Sequence, residues 1–164
     1  MVRGMAESAG EGMRRQSPYP VEAGSPERFA VSLAIARRHD GRIAAYVSEI
    51  TPEDARRMAS QGTQFLVIDP YTDAEAYYPA GAYLTADGYF GGLYSRVPGY
   101  GSAIVKKAVE LGAAKLDCLG DDLASLYRRH GFRETFRAPW DEELKPDFWP
   151  EGFGQPDYIE MRRG

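Results

Sequence analysis

Arg96-Val97-Pro98-Gly99-Tyr100-Gly101-Ser102 joins an apolar run, Tyr89 to Ser95, to a stretch whose small and apolar residues repeat with helical spacing. A glycine-rich turn from strand to helix gathers unpaired backbone N–H groups and the positive helix end at one point. The missing side chains let a pyrophosphate approach closely. The segment therefore reads either as an anion cradle or as an ordinary Gly-Pro turn. The only cysteine, Cys118, excludes an internal disulfide and a cysteine-based zinc site. The two histidines, His39 and His130, stand far apart in the chain, so no metal centre is expected. Any chemistry has to come from hydroxyls, carboxylates and backbone.

The elements that must hold these groups follow from periodicity and caps. After the turn, Gly101, Ile104, Val105, Ala108, Val109 and Gly112 fall at i, i+3, i+4, i+7, i+8 and i+11, and Lys106, Lys107 and Glu110 fall on the other side. This predicts a helix over Gly99 to Leu111. Ala114 to Leu119 reads as a strand, followed by a short helix capped by Asp121 or Asp122, with Leu123, Leu126 and Tyr127 on one face and Gly131 at its end. Upstream, Ser25-Pro26 starts a helix over Glu27 to Arg38, although Phe29, Val31, Leu33 and Ile35 also alternate as in a strand. Ile43 to Ile50 and Phe65 to Ile68 read as strands, with a capped helix from Thr51-Pro52 to about Ser60 between them. Asp69 to Pro79 reads as a loop. Ala82 to Thr85 and Tyr89 to Ser95 flank Asp87-Gly88 as a hairpin, and Phe132 to Arg137 and Asp157 to Met161 are the last strands. Met1 to Gly24 has almost no aliphatic residues and is expected to be a disordered or extended arm; residues 25–164 then form a single domain.

In this setting Arg96-x-x-Gly99-x-Gly101 resembles the pyrophosphate-binding signature of the GNAT superfamily of acyl-CoA-dependent N-acyltransferases, Gln or Arg-x-x-Gly-x-Gly or Ala. Downstream, Leu126-Tyr127-Arg128-Arg129-His130-Gly131-Phe132 is similar to that family's second signature, a helix ending in Leu-Tyr, three residues, then Gly-Phe. Gly112 to Met161 also resembles small acetyltransferase-like proteins of bacteriophages and prophages. The resemblance implies an α/β fold with a mixed, mostly antiparallel central sheet, a splayed strand pair and helices on both faces. It implies acetyl-CoA as co-substrate and direct attack by an amine, carried by a small molecule, a protein or a nucleotide, and it is compatible with a homodimer. An inactive GNAT-like binding module, for example a phage-associated one, is the alternative.

Carried over by residue, the resemblance places the CoA pyrophosphate on the backbone of Val97, Gly99, Tyr100, Gly101 and Ser102, with Arg96 at the entrance free to pair with phosphate. Tyr127 matches the tyrosine that protonates the departing thiolate, a task that suits a phenol because it is a neutral donor near pH 7. It also sits in an apolar stripe, so a purely structural core role is open. Many relatives carry a glutamate on the strand before the cradle as a base. Here that strand has no carboxylate, and Asp87 sits in the turn before it. Alternation on the following strand sends Leu116 and Cys118 to one face and Lys115 and Asp117 to the other. Asp117 could hold a cationic amine or accept its proton; it could equally be a solvated strand-end residue. Cys118 reads as a small buried side chain and His130 as a charge partner for a helix end.

The connection from Ala138 to Pro156 would overhang the acyl group. Trp140, Phe148, Trp149, Phe153 and Tyr158 with Asp141, Glu142, Glu143, Asp147, Glu151 and Asp157 could form an aromatic, acidic rim that attracts an amine, with Trp140, Glu142 and Trp149 touching it. The aromatics could instead be a satellite core beneath the loop. The 164 residues carry 20 Lys plus Arg against 24 Asp plus Glu, a net charge of -4, which gives no footprint for duplex nucleic acid. No apolar run is long enough to span a bilayer, and the chain reads as cytoplasmic.

Overall fold

The computed structural model describes residues 17–71 and 77–164. Two antiparallel sheets meet along a seam between β4 (Phe90–Ser95) and β5 (Lys115–Leu119). The first has the order β1 (Val21–Ala23), β2 (Gln64–Ile68), β3 (Ala80–Leu84), β4 (Phe90–Ser95), and the second the order β5 (Lys115–Leu119), β7 (Tyr158–Arg162), β6 (Arg133–Ala138). Among the described residues they are joined by a parallel bridge between Tyr89 and Lys115, and beyond it no ladder pairs β4 with β5. This is the mixed, mostly antiparallel α/β arrangement expected, with a splayed pair.

The first sheet is covered on both faces. Helix α1 (Pro26–His39) starts at Ser25, whose hydroxyl accepts from the Arg28 N–H, and buries Phe29, Leu33 and Ala36 at helical spacing while Val31 is exposed. The strand-like alternation in this segment therefore has no structural counterpart. Phe29 packs on Phe65 at 4.9 Å and reaches Gly81, where a Cβ would come within 2.9 Å of its ring. Full burial of such a ring contributes about 1.5–3 kcal/mol. Helix α4 (Tyr100–Glu110) contacts β2, β3 and β4 through a face that includes Ile104, Val105 and Ala108. Since successive strand residues point to opposite faces and Phe65 to Ile68 are all buried, α1 and α4 cover the two sides.

One sequence expectation fails here. The strand predicted over Ile43 to Ile50 is instead the short helix α2 (Gly41–Tyr46). Asp40 caps its start by accepting from the Arg42 N–H, and Arg37 of α1 donates to the carbonyls of Ala44 and Val47 at its end. The apolar run thus takes its helical form from a partner outside the run. The expected arm over Met1 to Gly24 overlaps β1, whose Val21, Glu22 and Ala23 pair with Ile68, Val67 and Leu66. Residues 1–16 of that arm lie outside the described residues, as does the part of the Asp69 to Pro79 loop over 72–76.

Helix α3 (Pro52–Ser60) has the expected capping box between Thr51 and Asp54. Helix α5 (Asp121–Arg128) does not use an aspartate cap: its N-cap is Gly120, and Asp121 lies inside the first turn, ion-paired to Arg137 at 2.6 Å. Gly131 at φ 93° ends the turn that follows. Against the second sheet, α5 buries Leu123, Ala124, Leu126 and Tyr127.

Candidate active site

The cradle is built by local backbone. Gly99 sits at φ 87° as N-cap of α4 and supplies no side-chain cap, and the N–H groups of Gly101 and Ser102 have no partner among the described residues. Ser95, which the sequence did not single out, locks the turn: its hydroxyl donates to the Val97 carbonyl at 2.6 Å and accepts from the Val97 N–H at 3.2 Å. Arg96 is exposed and forms no ion pair among the described residues. Tyr100 turns inward against Tyr19, leaving only its backbone for a ligand. Free N–H groups, a helix start and an unpaired guanidinium suit a pyrophosphate. His130 has a partner that sequence spacing could not reveal. Its Nε2 lies 3.1 Å from the Ser102 hydroxyl, and burial lowers its pKa.

The seam between β4 and β5 opens into a cavity of about 970 Å³. Its walls include Tyr83, Tyr89 to Leu93, Asp117, Cys118, Tyr127, Trp140, Glu142 and Tyr158. Gly91 and Gly92 let the Tyr83 ring lie across β4, since a Cβ on either would come within 2.7 Å of it. Gly92, at φ 66°, also carries the register shift of β4 against β3. The side of β4 facing β5 thus loses its neighbouring strand where the cavity begins.

Asp117 stands in a collar of phenols. Tyr158 donates to its Oδ2 at 3.3 Å, the Tyr89 hydroxyl interacts with it from the β4 side, and Tyr83 lies near. No cation pairs with it among the described residues. One side of Asp117 is open, yet the surrounding protein removes enough water to raise its pKa; hydrogen bonds from Tyr89 and Tyr158 oppose the rise and Glu160, opposite on β7, adds to it. Tyr158 spans both carboxylates with a single proton, shared between Glu160 at 2.9 Å and the longer contact to Asp117. Asp87, by contrast, has its pKa pulled down to about 2 by hydrogen bonds from Thr85 and Lys115, which favour its ionised form, and it does not line the cavity.

Tyr127 packs edge-on against Phe90 and Phe132 and is 5% exposed. Its hydroxyl has no hydrogen bond among the described residues, although no buried side-chain oxygen or nitrogen lacks a partner. The hydroxyl must therefore open into the cavity that its side chain lines. Burial holds its pKa well above the ordinary phenol value, and the same burial pushes the neighbouring Cys118 thiol up to about 12. Packing and an open hydroxyl coexist in one residue.

The long loop divides its aromatics between the two expected roles. Trp149 packs among Trp140 at 4.9 Å and Tyr46 at 5.0 Å, both tilted, and Phe153 edge-on at 5.6 Å, donates to the Gly154 carbonyl, and does not line the cavity. Trp140 and Glu142 do line it. Glu142 is occupied, accepting from Lys145, the Trp140 indole N–H and Gln155, and these contacts lower its pKa. Among the described residues no group of His, Cys, Asp and Glu could hold a metal ion.

This topology is that of the GNAT N-acetyltransferases. No family model matches the sequence, and no curated protein matches it. Solved structures do. A GCN5-related N-acetyltransferase from Kribbella flavida shares the fold at a TM-score of 0.59 with 17% identity, over 90% of this chain and 99% of that one. A phosphinothricin acetyltransferase from Sinorhizobium meliloti, solved with acetyl-CoA, gives 0.54 with 18% identity, over 90% and 88%. A ribosomal-protein-alanine N-acetyltransferase from Brucella melitensis gives 0.55 with 14% identity, over 87% and 98%.

Proposed function

We propose that the protein is an N-acyltransferase that moves an acetyl group from acetyl-CoA to an amine. The observation that carries this reading is the opening of the Tyr127 hydroxyl and the cation-free Asp117 carboxylate into one cavity, at the point where β4 loses its neighbouring strand. Gly101, Ser102 and Arg96 hold the pyrophosphate, and the free edge of β4 polarises the thioester carbonyl. Asp117 takes the proton from the attacking amine as the C–N bond forms. Tyr127 gives its proton to the departing thiolate as the C–S bond breaks, and a proton from Asp117 or solvent then restores the phenol.

The high pKa of Tyr127 does not conflict with this role. Burial that raises the phenol's pKa raises that of a thiol in the same surroundings too, as Cys118 shows, so a thiolate expelled there is more basic than in water and the two shifts partly offset. The reading places the protein in the cytoplasm, where its donor is found; no described helix is long and apolar enough to cross a membrane.

The test is calorimetric titration with acetyl-CoA, followed by a primary-amine panel read by free thiol release. Acetyl-CoA binding, its loss in Gly101→Val with unchanged circular dichroism, and amine-dependent thiol are expected. Acetyl-CoA binding without thiol release from any amine would mean an inactive binding module instead.

A further inference from the structure

The acceptor half of the cavity is mostly apolar and offers no place for an anion. Beyond Asp117 its walls include Tyr46, Phe136, Pro139, Trp140, Leu144 and Pro146, with Asp141, Glu142 and Lys145 among them. Phe136 is 51% exposed and Leu144 81% exposed, so large apolar surface stands open at the mouth. Trp140 is braced by Trp149 from behind, and its indole N–H is already given to Glu142, which makes this wall a fixed ring with no free donor.

The charges select further. Lys145 is the only cationic residue lining the cavity among the described residues, and Glu142 holds it at 3.1 Å. Asp141 spends an oxygen on the Glu143 N–H. The carboxylates that remain without a counter-charge are Asp117 and Asp141. A ligand carboxylate or phosphate would meet no free cation here and would add negative charge beside Asp117 and Glu160.

We infer that the acceptor is a primary amine on an apolar, aromatic-sized body with no carboxylate or phosphate, its ammonium drawn to Asp117 and its body lying between Tyr46, Phe136 and Trp140. This rests on the acyltransferase reading and narrows it: amino acids, nucleotides and other anionic amines are excluded as good acceptors. Aromatic walls favour such a cation twice, through its apolar body and through attraction of the ammonium to ring faces.

The molecule carries its own probe, because its only tryptophans are Trp140 and Trp149. The full chain is titrated with phenethylamine and with phenylalanine, which differ by one carboxylate, following tryptophan fluorescence and, with acetyl-CoA present, thiol release. Phenethylamine is expected to bind and react at least about 10-fold better, since like-charge juxtaposition in a partly desolvated site costs more than the 1.4 kcal/mol that a tenfold ratio represents. Phe136→Ser is expected to weaken phenethylamine by about 3-fold or more through lost apolar contact while leaving acetyl-CoA affinity intact. Glu142→Gln frees Lys145 and is expected to narrow the discrimination against phenylalanine. Equal or better use of phenylalanine by the wild type overturns the inference while acyl transfer stands. Fluorescence quenching by phenethylamine with no thiol release from any amine keeps the cavity's preference and overturns acyl transfer. No response to phenethylamine in either readout, with thiol released by other amines, overturns the inference alone.

Discussion

The two sheets bury their side chains differently. In the first, β2 and β3 are buried on both faces apart from Gln64 and Tyr83, and their sequences read as continuous apolar runs. In the second, β5 and β7 alternate: Leu116, Cys118, Ile159 and Met161 point inward, while Asp117 and Glu160 point out and β6 is largely exposed. A strand buried on both faces cannot carry a carboxylate without a steep desolvation cost, whereas a strand with one wet face can. At their seam the first sheet contributes backbone and phenols, and the second contributes a carboxylate that is crowded without being sealed. The cleft thus has an unpaired strand edge on one wall and a carboxylate on the other.

Removing the Tyr127 hydroxyl, which lines the same cavity, tests this division most severely. Tyr127→Phe keeps the packing on Phe90 and Phe132 and deletes only the donor. Turnover is expected to fall by roughly 10²-fold or more with acetyl-CoA binding retained. Wild-type rates in this variant would reduce Tyr127 to a core aromatic.

Asp117→Asn tests the charged wall. Its expected loss is also about 10²-fold, with a distinctive pH signature. In the wild type, kcat/KM rises with pH as Asp117 ionises, with a midpoint above the ordinary carboxylate value because surrounding protein raises its pKa. The variant should lose that limb. A limb that survives in Asp117→Asn assigns the base to another group.

The edge of the first sheet gives a smaller, structural effect. Deleting residues 1–24 removes β1, its three register pairs with β2 and the Gly24 N–H bond to the Phe65 carbonyl at 2.7 Å. A loss of about 2–3 kcal/mol lowers Tm by roughly 4–10 °C in a domain of this size. Deleting only residues 1–16 leaves β1 in place and is expected to change Tm little. Equal melting of both truncations would show that β1 adds nothing to the sheet.

How much was legible in the sequence follows the same boundary between local and assembled structure. The cradle could be read because Gly99 and Gly101 act through their own backbone, and α1, α3 and α4 because caps and period lie within each segment. Asp117 could be placed on the open face by alternation alone. The form of α2 could not be read, since Arg37 supplies its carbonyl partners from another helix. Nor could the collar of Tyr83, Tyr89 and Tyr158, which three strands bring to one carboxylate, or the meeting of Ser102 and His130. Glu142 had the right position and the wrong availability. Its composition said acidic, and only the structure shows that Lys145 already occupies it.

The smallest predicted effect separates a carboxylate kept for chemistry from one kept for stability. Asp117 has a folded-state pKa raised above its unfolded value, so the fold favours its protonated form. Its contribution to stability is fully present below the unfolded pKa and is lost as pH rises through the folded one; near neutrality the ionised group is a burden. Asp117→Asn removes the charge while leaving an oxygen to accept from Tyr158. The variant is therefore expected to melt about a degree or two above wild type at pH 7, with the gap closing toward pH 4. The phenol collar sets the limit on this gain, since part of the desolvation is already offset by hydrogen bonds to the ionised form. A variant that melts lower at pH 7 and equally at pH 4 would mean that the collar more than repays the burial, making Asp117 a structural anchor. A higher Tm combined with lost turnover is what an active-site carboxylate produces, because a group held against its own solvation destabilises the fold that positions it.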